Sequence, residues 1–98
     1  MSFENLSDET LDLIEKCGRV YFTYEQTAKA VGIPVAQMME YLDNENHPAH
    51  EAYHRGKHLS LLNIRLSIIR MAENGSAPAQ SLMQKIIDDY EFRQKTKN

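Results

Sequence analysis

The segment Thr23–Asp43, TYEQTAKAVGIPVAQMMEYLD, constrains the fold most, because it has the pattern of two short helices joined by a sharp turn. Thr23 and Gln26 have the spacing of a capping box at the start of the first helix. Gly32 can adopt the left-handed conformation that ends this helix, and Pro34 is suited to begin the second. The pattern predicts a helix-turn-helix unit. Its predicted inward set is Thr27, Val31, Ile33, Met38 and Tyr41.

Capping signals predict three further helices around this unit. The first runs from about Asp8 to Lys16, with Ser7 as its N-cap and Gly18 just past its end. Asn46 and Pro48 open a long helix that runs to about Glu73, where Asn74 and Gly75 end it, and Ser76 and Pro78 start a last helix that reaches about Arg93. No alternating run is long enough to predict a sheet. The predicted fold is therefore all-α.

The predicted long helix carries apolar side chains on two faces. With about 100° per residue, one stripe contains Leu59, Leu62, Leu66 and Ile69, and the other contains Leu61, Ile64, Ile68 and Met71. The last helix offers a single apolar stripe, which can cover only one of these faces. We therefore predict a three-helix head, residues 1–45, and an oligomerising antiparallel helical hairpin, residues 46–98, with a short basic tail. The alternative is that the head folds back over the second face.

Length and composition narrow the functional classes. The chain has 98 residues, of which 42% are hydrophobic, and a formal charge of −3. A single cysteine, Cys17, excludes an internal disulfide and a cysteine-based zinc module, and we expect it to be a small core residue. No signal peptide or long apolar run is evident, so we expect a soluble, cytoplasmic protein without a membrane contact.

His50-Glu51-Ala52-Tyr53-His54 matches H-E-x-x-H, the zinc-binding helix of metalloproteases. We predict no enzyme, no metal and no cofactor here, because the chain has no strand to bind a substrate and no further structure to hold a third ligand. His47 and His58 are predicted to extend the pair into a stripe of four histidines. We expect this stripe to be solvated or to lie at an interface.

The second helix of the helix-turn-helix unit is shaped to enter a DNA major groove. Val35 or Ala36 can touch a thymine methyl group, and Gln37 can bind an adenine edge. Glu40 and Asp43 repel phosphate, and the helix has no lysine or arginine. The predicted DNA-binding residues are Arg19, Lys29, Val35, Gln37, Arg55 and Lys57. Further basic residues are Arg65, Arg70, Arg93, Lys95 and Lys97.

Three patterns in order resemble the small terminase subunits of tailed bacteriophages. The first is the helix-turn-helix with Ala28, Gly32 and Tyr41. The second is His47-Pro48-Ala49-His50-Glu51-Ala52-Tyr53-His54-Arg55-Gly56, which is similar to the acidic-aromatic-alanine-tyrosine start of the family's central helix. The third is Met71-Ala72-Glu73-Asn74-Gly75-Ser76-Ala77-Pro78-Ala79, which resembles its alanine-rich helix break. Together they span about Thr23 to Lys85.

The resemblance implies a non-enzymatic factor that assembles as a ring and recognises viral double-stranded DNA for genome packaging. It also implies a large terminase subunit as partner and the cytoplasm of a bacterial host as location. Two other functions remain open: a dimeric helix-turn-helix transcription regulator, and a protein-interaction module whose helix-turn-helix no longer binds DNA. The acidic second helix favours the interaction module.

Overall fold

The computed structural model describes residues 6–96, and these form an all-helical protein with no strand. Five helices follow one another: α1 (Asp8–Arg19), α2 (Tyr24–Val31), α3 (Val35–Asp43), α4 (Pro48–Glu73) and α5 (Ala77–Thr96). The chain divides into two compact units, which we call the N-terminal unit (residues 1–61) and the C-terminal unit (residues 62–98). The division falls inside α4, whereas the sequence-based division placed the whole long helix in the second domain.

The turn between α2 and α3 has the predicted local chemistry. The Thr23 side chain accepts from the Gln26 backbone N–H at 3.1 Å, and the Gln26 side chain accepts from the Thr23 N–H at 2.9 Å. Gly32 has φ of 86°, and its N–H donates to the Ala28 carbonyl at 2.8 Å. The two reciprocal bonds confirm the predicted capping box. The positive φ of Gly32, which only glycine adopts readily, confirms the predicted left-handed helix end.

The core of the N-terminal unit joins α1, α2, α3 and the start of α4. Ile14, Met38 and Leu42 are fully buried in it. The predicted inward set is confirmed, because Thr27, Met38 and Tyr41 are buried and Val31 and Ile33 are half-buried. The complete buried cluster is Ile14, Ala28, Met38, Tyr41, Leu42, Ala49 and Tyr53.

Two glycines bring α1 and α4 into close contact. A Cβ atom on Gly18 would lie 2.0 Å from the Tyr53 carbonyl oxygen, and one on Gly56 would lie 2.0 Å from the Glu15 carbonyl oxygen. The predicted end of α1 is therefore wrong, because Gly18 lies inside a helix that continues to Arg19. Gly18 serves this close approach between two backbones instead of ending the helix.

The C-terminal unit contains the second part of α4, the turn at residues 74–76, and α5. Gly75 has φ of 95°, and the Ser76 hydroxyl accepts from the Ala79 N–H at 3.3 Å, so the predicted end of α4 and start of α5 are confirmed. The last helix continues beyond the predicted Arg93 to Thr96. Within residues 62–96, Ala79 is the one buried side chain.

Both apolar stripes of α4 remain largely in solvent. Leu62 is 52% exposed and Ile64 is 49% exposed, although they belong to opposite stripes. Leu61, Leu66 and Met71 are likewise exposed, while Leu59, Ile68 and Ile69 are half-buried. The α5 side chains therefore leave apolar surface on both stripes, more than the single uncovered face predicted from the sequence.

Candidate nucleic-acid interface

Helix α3 has one buried face and one exposed face. Met38 and Leu42 are fully buried, whereas Val35, Met39 and Glu40 are exposed. Ala36 and Asp43 are also exposed. The outward surface therefore combines small and apolar side chains with carboxylates. These groups can touch thymine methyls or accept from a cytosine amino group, but they cannot neutralise a phosphate.

Gln37 is positioned by its own helix. Its side-chain amide donates to the Tyr41 hydroxyl, and Gln37 is half-buried. The Tyr41 ring stacks on His47, with ring centroids 4.2 Å apart and an angle of 15° between the planes. The bond to Tyr41 engages one N–H of the Gln37 amide, so the ring of Tyr41 helps to set the direction of that amide on α3.

The histidine stripe has three members instead of four. His47 is buried in the loop before α4, where its Nδ1 accepts from the Ala49 N–H at 3.0 Å. It therefore caps the start of α4 and stacks on Tyr41, so its predicted place in the stripe is wrong. The sequence missed this because the helical face was extrapolated back across residues that precede the helix.

His50, His54 and His58 lie along α4 and line an open cleft of about 540 Å³ together with Glu45, Glu51 and Arg55. The Nδ1–H of His50 donates to the Leu42 carbonyl at 2.7 Å, which links α4 to the end of α3. The pKa of His54 is lowered by burial and then by His50, Lys57 and His58 nearby, so the imidazole favours its neutral form. Among the described residues, no group of three or more His, Cys, Asp or Glu side chains is arranged to hold a metal ion.

The four basic candidates of the N-terminal unit are in different environments. Lys29 pairs with Glu25 at 3.1 Å on α2, and the Arg55 guanidinium lies 3.8 Å from a Glu15 carboxylate oxygen. The Lys57 ammonium lies 5.8 Å from the centre of the Tyr21 ring and 5.5 Å from that of Tyr53. Arg19, at the end of α1, is exposed. Lys57 thus lies near two aromatic rings. Tyr53 precedes it by four residues on α4, whereas the sequence did not indicate the contact with Tyr21.

Charge is distributed unequally between the two units. Residues 1–61 contain ten acidic and five basic side chains, a formal charge of −5, whereas residues 62–98 contain four and six, a formal charge of +2. Arg65, Arg70, Arg93 and Lys95 are all exposed in the C-terminal unit. Lys97 lies outside the described residues. By formal charge, the C-terminal unit is therefore better suited to attract a phosphate backbone than the unit that carries α3.

The remaining titratable groups support a structural role. Cys17 is buried, and burial raises the pKa of its thiol against a smaller lowering by the Thr27 hydrogen bond. A thiol of raised pKa is a poor nucleophile, which agrees with the predicted core role. Burial also raises the pKa of Tyr53, whose hydroxyl donates to the Phe22 carbonyl.

No protein-family model, curated protein or solved structure matches this chain. None of the helices in the described part of the chain is long and apolar enough to span a membrane.

Proposed function

We propose that this chain is a non-enzymatic, oligomeric DNA-binding protein of the kind represented by the small terminase subunits, which recognise viral DNA for packaging. The observation that carries the proposal is the α2–α3 unit. Its turn is made by Gly32, and α3 buries Met38 and Leu42 while leaving Val35 and Met39 exposed. A short helix held firmly on one face and open on the other has the shape needed to enter a major groove.

The C-terminal unit supports the oligomeric part of the proposal. Gln80 of α5 donates to the Ala72 carbonyl of α4 at 3.1 Å beside the turn, and farther from the turn Arg65 shares a cleft with residues near the end of α5. These contacts favour an antiparallel helical hairpin. Several of its large apolar side chains, among them Leu62, Leu66 and Leu82, are about half exposed, which is unfavourable in water unless another copy covers them. A ring of such copies, with a large terminase subunit as partner, follows from the resemblance.

A protein-interaction module is the second candidate. The outward surface of α3 has two apolar side chains, Val35 and Met39, flanked by Glu40 and Asp43, and α3 contains no basic residue. The hydrogen bond from Gln37 to Tyr41 also engages one N–H of the amide that would bind a base edge. Retention of duplex DNA at low salt separates the two candidates, because only the DNA-binding function requires it.

The DNA-binding proposal predicts weak, salt-sensitive binding that depends on assembly. Gln37→Ala should relax sequence preference, because it removes the amide that can bind adenine. Lys29→Ala and Arg19→Ala should weaken binding to all duplexes alike and reduce the salt slope, because they remove charge without removing a base contact. Fluorescence anisotropy with matched duplexes at several salt concentrations measures both effects. If the assembled wild-type protein retains no duplex at low salt, the interaction module replaces this proposal.

The assembly proposal is tested by the mass of the protein in solution. Wild-type protein should sediment as a multi-subunit species, and Leu66→Asp or Ile68→Asp should produce smaller species, because a charge on a covered apolar face is costly. Asn63→Asp is a matched control that adds the same charge at an exposed polar position of α4. A wild-type protein that remains a monomer at micromolar concentration contradicts the ring and the packaging function together.

A further inference from the structure

The C-terminal unit contains an open cleft of about 550 Å³ between α4 and the end of α5. Arg65 reaches it from α4, and Tyr90, Arg93 and Gln94 reach it from α5. Asp89 also lines the cleft, and its carboxylate lies 3.0 Å from Nε of Arg93. Two guanidinium groups and one carboxylate leave the cleft with a formal charge of +1.

The two arginines differ in what they can offer a ligand. Nε of Arg93 lies 3.0 Å from the Asp89 carboxylate, so Asp89 offsets part of the positive charge of Arg93. Arg65 makes no salt bridge within the described residues and is exposed. Arginine presents several N–H donors in a planar fork that matches phosphate oxygens, so a pair of arginines lining one cleft suits a phosphate group better than a neutral ligand.

We propose that this cleft binds phosphate groups of nucleic acid, with Arg65 and Arg93 as the binding residues. The proposal rests on the DNA-binding function proposed above and adds a backbone contact outside α3. It also accounts for the charge distribution, because the unit that carries α3 has a formal charge of −5 and the unit that carries the cleft has +2. In this arrangement the C-terminal unit supplies affinity, and α3 touches base edges without a basic side chain of its own.

Inorganic phosphate is the first probe, used with the full chain at constant ionic strength. The Nε–H resonances of Arg65 and Arg93 should shift together in a saturable way in NMR spectra, while that of Arg70 should not. Arg70 is an internal control, since it is exposed on the same helix but does not line the cleft. The absence of a saturable shift, or an equal shift at Arg70, overturns the cleft as a phosphate site.

Duplex DNA is the second probe, compared for Arg65→Gln, Arg93→Gln and the charge-matched control Arg70→Gln. Each cleft substitution should reduce the slope of log affinity against log salt by about one, because one phosphate contact is lost. Arg70→Gln should leave the slope nearly unchanged. Equal slopes for Arg65→Gln and Arg70→Gln in a protein that binds DNA overturn the assignment of the cleft to nucleic acid. Failure of the wild-type protein to bind any duplex instead overturns the proposed function, and the phosphate titration still decides whether the cleft binds an anion.

Discussion

The two units of this protein place similar apolar side chains in opposite environments. In the N-terminal unit, Ile14, Met38 and Leu42 are fully buried between several short helices. In the C-terminal unit, Leu66 is 46% exposed and Leu82 is 47% exposed, and of the described residues there only Ala79 is buried. The difference is one of helix number, because several helices can enclose a core whereas two helices side by side leave most of their surface outside.

This comparison separates two sources of stability. The N-terminal unit closes its own core, and glycines at the contact of α1 with α4 allow two backbones to meet directly. The C-terminal unit carries its apolar stripes at the surface, so we expect its stability to depend on association with other copies. Side-chain truncations in the two units should therefore differ in how much they lower the free energy of unfolding. They should also differ in how far that effect depends on protein concentration.

The largest expected difference is between Leu42→Ala and Leu66→Ala. Leu42 is fully buried, so its truncation should lower the free energy of unfolding by about 2–5 kcal/mol. At concentrations too low for assembly, Leu66→Ala should change the free energy of unfolding by no more than about 0.5 kcal/mol, because a half-exposed leucine buries little apolar surface in the monomer. Denaturant unfolding followed by circular dichroism, with hydrogen exchange to assign the unit, measures both. A large cost of Leu66→Ala in the monomer contradicts the comparison.

The next difference concerns two glycines, Gly56 in the N-terminal unit and Gly75 in the C-terminal unit. Gly56→Ala should destabilise the protein by about 1–3 kcal/mol, because the new methyl group meets the Glu15 backbone at 2.0 Å and forces the helices apart. Gly75→Ala meets no atom within 4 Å, so its cost of about 1–2 kcal/mol comes from the left-handed backbone alone. Thermal unfolding can rank the two. If hydrogen exchange shows no loss of protection at the α1–α4 contact in Gly56→Ala, the close approach is not a source of stability.

The smallest expected effect is the pH dependence contributed by His54. Its pKa is lowered in the folded protein by burial and by neighbouring His50, Lys57 and His58. As the pH falls through the ordinary range of histidine, about 6.5, the unfolded chain binds this proton more readily than the folded chain. The stability of the N-terminal unit should therefore fall with acidification, and His54→Gln should remove part of that fall. Denaturation midpoints of the wild-type protein and His54→Gln at pH 7.5 and pH 5.5 measure it.

A steeper loss of stability at pH 5.5 in His54→Gln than in the wild-type protein would contradict this role of His54. The measurement also bears on the comparison of the units. The cleft that contains His54 lies in the N-terminal unit. As the pH is lowered, protection from hydrogen exchange, corrected for the intrinsic exchange rate, should therefore fall in the N-terminal unit at a higher pH than in the C-terminal unit.

Local chemistry explains why much of the fold could be predicted from the sequence. Thr23, Gln26 and Gly32 act on backbone groups within four residues of themselves, so their roles follow from spacing alone. Pro48 and Gly75 mark helix ends for the same reason. The inward set of α2 and α3 was predictable because one buried face imposes a helical period on apolar residues.

The candidate site was less predictable, because its contacts join residues distant in the sequence. Tyr53 precedes Lys57 by four residues on α4, so helical spacing alone brings these two together. Nothing near Lys57 indicates that Tyr21, which is 36 residues away, would also lie close to its ammonium group. The cleft formed by Arg65 and Arg93 likewise depends on how α4 meets α5. No rule of spacing connects such pairs, since their separation in the chain does not set their separation in space.

The sequence by itself determined the helices and their apolar faces, because hydrogen bonds and side-chain period act over a few residues. Only the tertiary structure decided what each face meets. Glycine at position 18 indicated a helix end, but Gly18 lies where α1 contacts α4, because a carbonyl group of α4 occupies the space that a side chain would fill. His47 had the spacing of a stripe but stacks on Tyr41, because the helix begins one residue later. At such positions long-range packing overrules local signals. The free energy gained by packing two backbones against each other, or by burying one ring, exceeds that of a local conformational preference.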